Sequence, residues 1–383
     1  MTITISQSCS RIMEMKLINE LTGSLNKFLC WDKRRMTCFV NMLTALMMVQ
    51  TVNLKKLATA MQLQATVDST YRRLQRFFSH FQIDYTLLAK FIVSLFKFNK
   101  GKHYLILDRT NWKWGKHNIN ILFLCIAYKQ AAIPIFWLVL NKRGNSSTRE
   151  RAVLIERFIS VFGTKHIAGL LGDREFVGKN WFSYLKSRKI IFYIRIKRNN
   201  KTKDSYEGET EIARLFRHLS FHEAFLLKGK RVLYGHKLYV TGAKVQGDYL
   251  IIVTAKKPPK HNPLEAIDIY ALRWKIETLF GCLKTKGFNF EDTHITHRNR
   301  IKQMIAVLTV AFCWAQLTGQ WCCQNEKKIT IKKHGRAQYS LFRYGLNWIS
   351  EKLFKRGKKL SHLTKITIQI FEQGILRAIN QWG

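Results

Sequence analysis

Short apolar runs and longer amphipathic stretches alternate through the middle of the chain, and this pattern predicts an α/β domain. The runs 104–107 and 167–172 are bounded by polar and turn residues, so we expect a buried strand at each. The other predicted elements are, in chain order, strands over 118–128 and 132–140, helices over 148–162 and 179–187, and a strand over 190–196. Another helix, over 270–284, follows further along the chain.

This order of elements is RNase H-like, and a segment of different pattern interrupts it. Alternating apolar and polar residues over 231–234, 237–243 and 249–255 predict a strand-rich insertion that spans 197–260. The insertion ends at two consecutive prolines, which favour a break between elements. We therefore expect a catalytic α/β domain over 96–320, interrupted by the insertion, and a basic C-terminal region over 321–383.

The N-terminal part of the chain, over 1–95, is helical by pattern and forms the first predicted domain. Its stretches 54–63 and 65–78 resemble a helix-turn-helix, with Asp68 or Ser69 as the N-cap of the second helix. That helix would expose three arginines to DNA: Arg72, Arg73 and Arg76. A helical pair that binds no DNA is the alternative. The basic run over 352–359 could likewise contact phosphates or remain solvated.

The charge of the chain indicates a polyanionic partner. Lys and Arg number 65 against 24 Asp and Glu, which gives a formal net charge of +41. A field of that sign attracts nucleic acid first and an anionic membrane surface second. The longest apolar stretch, over 304–315, falls short of the about 20 residues that span a bilayer, so we expect a buried core helix and no membrane partner.

Targeting signals and cysteine spacing suggest a cytoplasmic protein. The first residues of the chain lack the continuous apolar stretch of a secretory signal. The eight cysteines include no Cys-x-x-Cys pair and no zinc-site spacing with histidine. We expect reduced and mostly buried thiols in the cytoplasm.

Two of the few acids directly follow predicted strands: Asp108 and Asp173. An unpaired carboxylate at such a position is costly unless a cation neutralises it. Salt bridges to Arg109 or Arg174 are one explanation. A divalent metal is the other, because carboxylate oxygens suit Mg²⁺ or Mn²⁺, and a pair of such ions supports phosphoryl transfer.

A third acid lies on the predicted helix over 270–284. Four side chains fall on one stripe of an ideal α-helix, at roughly 0°, 300°, 340° and 320°: Tyr270, Arg273, Glu277 and Lys284. The carboxylate of such a stripe could hold a metal while the cations grip DNA phosphates. A solvated helix face is the alternative, because mixed charge at these spacings is common. Trp274 beside the stripe is either a stacking surface for a base or a core contact.

These motifs resemble those of bacterial cut-and-paste DDE transposases of insertion-sequence family four. The stripe matches the hallmark of that family, Tyr-x2-Arg-x3-Glu-x6-Lys. The resemblance covers roughly 50–350 and includes the segments that begin at Asp108, Gly144, Asp173 and His334. It implies that Asp108, Asp173 and Glu277 bind two Mg²⁺ or Mn²⁺ ions. By the same resemblance, three residues handle the DNA end: Tyr270, Arg273 and Lys284.

The resemblance leaves the position of one aromatic residue open. Members of the family can hold a flipped base on aromatic side chains, one of them a Trp in the strand-rich insertion. The insertion of this chain contains no Trp between residues 197 and 260. Four aromatic residues there could substitute, and the sequence does not choose among them: Tyr206, Phe221, Tyr234 and Tyr239.

The expected activity is that of an enzyme which binds the ends of its own element as a homodimer and cuts both strands, by resemblance through a hairpin. It would then join the 3′ ends to target DNA, in association with the bacterial nucleoid. Three alternatives remain: an inactive transposase-derived DNA-binding protein, a metal-dependent structure-selective nuclease, and a tyrosine recombinase that forms a phosphotyrosine.

Overall fold

The computed structural model describes residues 2–61, 63–204, 208–245, 247–333, 335–355 and 358–382. The chain forms two compact units, each assembled from separate segments. We call the first the helical unit; it comprises Met1–Asn99, Trp112–Ile119 and Leu279–Gly383. We call the second the sheet unit; it comprises Lys100–Asn111 and Asn120–Thr278. The predicted division at residues 95 and 320 stays a prediction.

Helices occupy both ends of the chain and separate several of the strands. They are α1 (Thr2–Leu29), α2 (Lys33–Val49), α3 (Leu54–Ala60), α4 (Val67–His80), α5 (Tyr85–Leu95), α6 (Thr148–Phe162), α7 (Lys179–Ser187), α8 (Glu265–Ala271), α9 (Lys275–Leu283), α10 (Arg298–Asn325), α11 (Leu341–Lys355) and α12 (Lys358–Trp382). The predicted helices over 148–162 and 179–187 are confirmed at both ends.

The strands lie between residues 103 and 254. They are β1 (His103–Trp114), β2 (His117–Tyr128), β3 (Ala131–Leu140), β4 (Ile167–Gly172), β5 (Phe192–Ile196), β6 (Lys201–Asp204), β7 (Gly208–Glu211), β8 (Ala224–Leu226), β9 (Arg231–Leu233), β10 (His236–Val245) and β11 (Asp248–Thr254). Outside the insertion, both ends of each predicted strand are confirmed within two residues, except that β1 continues to Trp114.

A mixed sheet with nine strands organises the sheet unit. Its order is β3-β2-β1-β4-β5-β11-β10-β8, with β9 paired to β10. Strand β4 lies parallel to both β1 and β5, whereas β11 pairs antiparallel with β5. The insertion is strand-rich, as predicted. Because β11 bonds directly to β5, the insertion strands β11 and β10 extend the central sheet. The insertion strands β6 and β7 form a separate two-stranded sheet.

The helical unit is built around α10. Most of this helix is buried, which confirms the core helix predicted over 304–315. Its Trp314 indole donates a hydrogen bond to the Thr367 hydroxyl of α12 at 3.2 Å. Among the described residues, α10 has the length and composition of a membrane-spanning helix, which the shorter predicted stretch lacked. However, 89% of its apolar window is buried inside the protein, and core helices share this composition.

Capping residues explain where two of the helices begin. Asp32 accepts the backbone N–H groups of Arg34 and Arg35 and starts α2. For α4, the predicted caps Asp68 and Ser69 are wrong. Thr66 is the N-cap, because its hydroxyl accepts the Ser69 N–H at 3.2 Å.

The predicted continuous helix over 270–284 is wrong. A 3₁₀ turn over Leu272–Trp274 separates α8 from α9, and α9 ends at Leu283. A 3₁₀ turn has about three residues per turn instead of 3.6, so side chains on either side of it do not keep the angles of one α-helix. The single stripe expected from residue spacing is therefore broken at Arg273.

Candidate active site

The two predicted aspartates lie at neighbouring positions of the central sheet. Leu107 of β1 pairs with Gly172 of β4 in parallel register, so Asp108 and Asp173 come next on adjacent strands. Asp108 is 9% exposed, and Asp173 is half-buried. Each accepts the backbone N–H of the following residue at 2.7 Å. The sheet thus brings both carboxylates to one edge.

Arg273 connects this edge to the third predicted acid. Its Nη1 atom donates to Asp108 Oδ2 at 2.9 Å and to Glu277 Oε1 at 3.3 Å. The Arg273 side chain is 4% exposed, that of Asp108 13%, and that of Glu277 52%. One buried guanidinium therefore neutralises two of the three acids.

Tyr270 lies beside Asp173, the acid that Arg273 does not contact through a hydrogen bond. Its hydroxyl donates to Asp173 Oδ1 at 3.4 Å, and the ring is 1% exposed. Burial raises the pKa of Tyr270, with Asp173 acting in the same direction and Arg273 opposing it. The phenol is therefore a hydrogen-bond donor that holds Asp173.

The Arg273 guanidinium also contacts two aromatic rings. Its central carbon lies 4.7 Å from the Trp274 ring centroid and 5.8 Å from that of Tyr270. Burial lowers the pKa of Arg273, but Tyr270, Asp108 and the other acids together raise it above its usual value. The Trp274 side chain is 56% exposed, so the core contact considered from sequence is wrong and an open aromatic face remains.

The environment of Asp108 is unfavourable for its charge. Burial raises the pKa of Asp108 to about 7, although Arg273 and the backbone N–H of Arg109 oppose the shift. The salt bridge considered between Asp108 and the Arg109 side chain is wrong. Neighbouring residues in a strand project to opposite faces, and the guanidinium that reaches Asp108 comes from residue 273.

The Arg109 side chain instead joins a polar network next to the acids. It donates to both carboxylate oxygens of Glu175 at 3.1 and 2.8 Å, and to Asn120 at 3.0 Å. Asn120 in turn donates to the carbonyls of Lys142 and Gly144 at 3.0 Å. The network ties β1 to the segment after β4, which carries Asp173.

A second arginine holds the same segment from α6. Arg151 is 4% exposed and donates to the Ser146 hydroxyl at 2.9 Å and to the carbonyls of Ser146 and Glu175 at 2.7 and 2.9 Å. The sequence pattern alone did not indicate a role for Arg151, Asn120 or Glu175. Glu175 lies two residues into the segment that begins at Asp173 and shares the family resemblance, and that position was the available signal.

The donor set fits a hard divalent cation in chemistry, and Arg273 bridges two of its three acids. Asp108, Asp173 and Glu277 offer the carboxylate oxygens that Mg²⁺ and Mn²⁺ bind. Within the described ranges, however, no three His, Cys, Asp or Glu side chains are grouped closely enough to hold an ion. In this arrangement Arg273 occupies carboxylate oxygens of both Asp108 and Glu277.

The other predicted DNA contacts lie in the helical unit. Lys284 follows the end of α9, and its ammonium contacts Glu291 at 2.7 Å and the Trp112 ring at 5.6 Å. Lys284 therefore has a carboxylate partner within the helical unit. Three exposed side chains lie on α4: Arg72, Arg73 and Arg76.

The aromatic side chains of the insertion differ in their exposure and in their contacts. Tyr234 donates to Asn200 at 2.7 Å, and burial raises its pKa, so its polar atom is already engaged. Tyr239 lies under the Lys230 ammonium at 5.3 Å. Phe221 is 55% exposed. Tyr206 and the C-terminal motif residue His334 lie outside the described residues.

A sheet with one acid on β1 and another directly after the adjacent parallel strand β4, together with a third acid on a following helix, defines a carboxylate-centred α/β site. The family model "Transposase DDE domain" matches residues 99–314, more than half of the chain. The chain therefore belongs to the transposase DDE domain family.

Comparison with solved structures finds several likenesses, among them the cryo-EM structure of the piggyBac transposase synaptic complex with hairpin DNA. The likeness covers 93% of this chain and 82% of that chain, with 11% sequence identity and a TM-score of 0.47. No curated protein sequence matches the chain.

Proposed function

We propose that the protein is a cut-and-paste DNA transposase of insertion-sequence family four, with an RNase H-like catalytic core. The observation that carries this proposal is that Asp108 and Asp173 directly follow paired residues of the adjacent parallel strands β1 and β4, with Glu277 joined to Asp108 through Arg273. The order β1-β2-β3-α6-β4-α7-β5 supports the core type, and the family match supports the activity.

In this proposal the three acids are the metal ligands. Asp108, Asp173 and Glu277 would hold two Mg²⁺ or Mn²⁺ ions, which when bound activate the attacking oxygen and stabilise the leaving one. Without metal, Asp108 is a buried carboxylate whose charge is disfavoured. Arg273 supplies the compensating charge until the complex forms.

Arg273 then exchanges its carboxylate partners for a phosphate of the DNA end. A guanidinium can bind phosphate through parallel hydrogen bonds, and the Arg273 guanidinium is already oriented by the rings of Tyr270 and Trp274. The exposed Trp274 face is available for a nucleotide base. Tyr270 keeps Asp173 in place, and Lys284 contacts the same DNA end.

The reaction we propose proceeds by cleavage of both strands at the element's ends, hairpin formation and reopening, and transfer of the 3′ ends to target DNA. The partners would be double-stranded DNA and a second copy of the chain in a synaptic homodimer, in the bacterial cytoplasm. The hairpin step and the dimer rest on the resemblance to family four. The net charge of +41 supports the DNA partner.

One observation weighs against a tyrosine recombinase. Tyr270 would be the nucleophile at this site, but its ring is 1% exposed and its hydroxyl is bonded to Asp173. Burial also raises its pKa, which disfavours the phenolate that would attack phosphate.

Incubation of the purified protein with labelled end-bearing DNA and Mg²⁺ tests the proposal. We expect strand cleavage and hairpin products, loss of both in chelator, and no DNA that remains linked to protein after boiling in detergent. Binding without cleavage would favour an inactive DNA-binding protein, and cleavage without end specificity would favour a structure-selective nuclease.

Isosteric variants of the acids separate chemistry from binding. Asp108→Asn, Asp173→Asn and Glu277→Gln should each abolish cleavage and leave end binding largely intact, because binding depends mainly on cations and phosphates. Asp268→Asn, at an exposed acid of α8, is the matched control and should cut at the parental rate. Parental cleavage by any of the first three variants would remove that residue from the triad.

A further inference from the structure

A cleft in the helical unit lies between the start of α2 and one side of α4. Its volume is about 620 Å³. Five cations line it: Lys33, Arg34, Arg35, Arg73 and Arg76. The remaining lining residues are Thr37, Cys38 and Phe77, so no acid takes part in the lining.

The cations of this cleft have no carboxylate partners among the described residues. None of the ion pairs within 4.0 Å in that part of the chain includes one of the five. The nearby Asp32 caps α2 by accepting backbone N–H groups of Arg34 and Arg35. Lys33, Arg34, Arg73 and Arg76 are exposed, and Arg35 is half-buried beside the Phe81 ring.

The position of these cations is unfavourable for the protein by itself. Lys33, Arg34 and Arg35 occupy the first turn of α2, which is 17 residues long, and the positive end of a helix dipole repels cations. Arg73 and Arg76 add like charge from the other wall. An anion in the cleft would relieve this repulsion between the cations of its two walls.

The opposite side of α4 has a different character. A second cavity, of about 710 Å³, is lined by Asp68, Tyr71 and Gln75 of α4 and by residues of α3 and the segment 293–300. That cavity mixes an acid, an amide and a phenol with its cations, which is unlike the lining of the first cleft. Helix α4 therefore separates a mixed polar cavity from an all-cationic one.

We propose that the all-cationic cleft between α2 and α4 binds the phosphates of duplex DNA independently of base sequence. Phosphate contacts of Lys and Arg position a protein on DNA without reading bases. The inference rests on the proposed function, because DNA is the polyanion that a transposase engages. It differs from the helix-turn-helix prediction, since Arg73 and Arg76 face the start of α2 across the cleft rather than acting with α3.

A charge-neutralised variant tests the cleft. Arg34→Gln, Arg73→Gln and Arg76→Gln are combined, and the control combines Lys327→Gln, Lys328→Gln and Lys333→Gln, three exposed cations of the helical unit outside the cleft. Both variants lose the same charge. Equal melting temperatures of the two variants and the parent establish that folding is retained.

Binding is measured in chelator, so that no cleavage occurs, on a duplex with the element's end and on one without it. We expect the cleft variant to bind both duplexes about tenfold or more weaker at low salt. The slope of log affinity against log salt should become shallower by about 2 to 3, since each phosphate contact contributes about 0.9. The control should lose little of either.

An unchanged salt slope in the cleft variant would overturn the proposal. An equal loss in the control would overturn it too, because the effect would then follow net charge and not this cleft. Loss of binding to phosphatidylserine vesicles with retained duplex binding would assign the cleft to a membrane surface instead. The binding experiment needs no cleavage. A failed cleavage assay would therefore contradict the proposed function without affecting the test of the cleft. A failed binding test would contradict the cleft and leave the cleavage result standing.

Discussion

At the scale of single residues, the positions of the candidate acids next to buried strand residues could be predicted from sequence, but their side-chain partners could not. Asp108 and Asp173 were recognisable because each follows a short apolar run. The guanidinium that neutralises Asp108 is 165 residues away along the chain. Sequence spacing favoured Arg109, but neighbouring side chains on a strand point to opposite faces, and only the fold brings Arg273 to the acid.

The burial of Arg273 changes what its loss should do. Arg273→Gln removes the cation beside Asp108, and breaking a buried pair costs about 3 kcal/mol of unfolding free energy. It should also slow end cleavage about tenfold or more, equivalent to about 1.4 kcal/mol. Chemical denaturation in chelator and single-turnover cleavage at saturating DNA measure the two effects.

Lys186→Gln is the control for this prediction, because Lys186 is an exposed cation on α7 of the same unit. It should change neither stability nor rate. If Arg273→Gln has parental stability, then Arg273 is not the counter-ion of Asp108 that the hydrogen bond indicates.

At the scale of elements, the positions of the strands were easier to predict from sequence than the side-chain contacts between elements. Apolar runs locate β1 and β4 because burial on both faces leaves a short continuous pattern. The helix over 270–284 was harder, since the residue types at Leu272–Trp274 fit the amphipathic pattern of an α-helix although these residues form a 3₁₀ turn. Tertiary contacts of Arg273 accompany this turn, and periodicity alone does not contain them.

The Arg109–Glu175 ion pair, which links β1 to the segment after β4, gives a prediction at this scale. Glu175→Gln should slow cleavage about tenfold, because the partly buried Arg109–Glu175 pair holds the two aspartate-bearing segments together. The exchange Arg109→Glu with Glu175→Arg should restore part of the rate, and a double-mutant cycle should give a coupling of about 1 kcal/mol or more.

The exposed pair of Arg188 and Glu156 provides the control for this tie. Surface pairs contribute about 0–1 kcal/mol, so Glu156→Gln should leave cleavage unchanged. Additive effects of the Arg109 and Glu175 changes, with no rescue by the exchange, would show that the pair does not act as a unit.

The crossing of α10 and α11 gives a second prediction for elements. A Cβ atom on Gly345 would overlap the Ala315 carbonyl, and one on Gly319 would overlap the Leu341 carbonyl. Gly345→Ala should therefore lower the unfolding free energy by about 2 kcal/mol or more, as expected for overpacking. Thermal and urea denaturation measure the change.

Gly23→Ala on α1 is the matched control, because nothing lies within 4 Å of its added Cβ. Alanine favours helix over glycine by about 1 kcal/mol, so this change should stabilise the protein slightly. The same sign of effect at Gly345 would contradict the close crossing of the two helices.

At the scale of the whole molecule, net charge was the most dependable property of the sequence. It needs no contact information, and the family match to a transposase domain agrees with the nucleic-acid partner inferred from it. A linear reading draws contiguous domains, whereas the compact units combine segments that are far apart in the chain.

The same net charge should make stability depend on salt. A chain of formal charge +41 repels itself when compact, and added salt screens that repulsion. We expect the melting temperature in chelator to rise as NaCl increases from low to physiological concentration. A melting temperature that falls over this range would mean that favourable ion pairs outweigh the repulsion.

The discontinuity of the helical unit has a consequence for synthesis in the cell. Helix α12 packs on helices from the start of the chain: the Phe371 ring stacks on Phe91 of α5 at 5.9 Å, and Glu372 accepts from Ser24 of α1 at 3.2 Å. Ribosomes add about 5–20 residues per second, so α1 and α5 emerge well before these partners. The apolar faces of α1 and α5 that pack on α12 therefore stay exposed until α12 has been synthesised. We expect chaperones to bind these exposed apolar faces during translation.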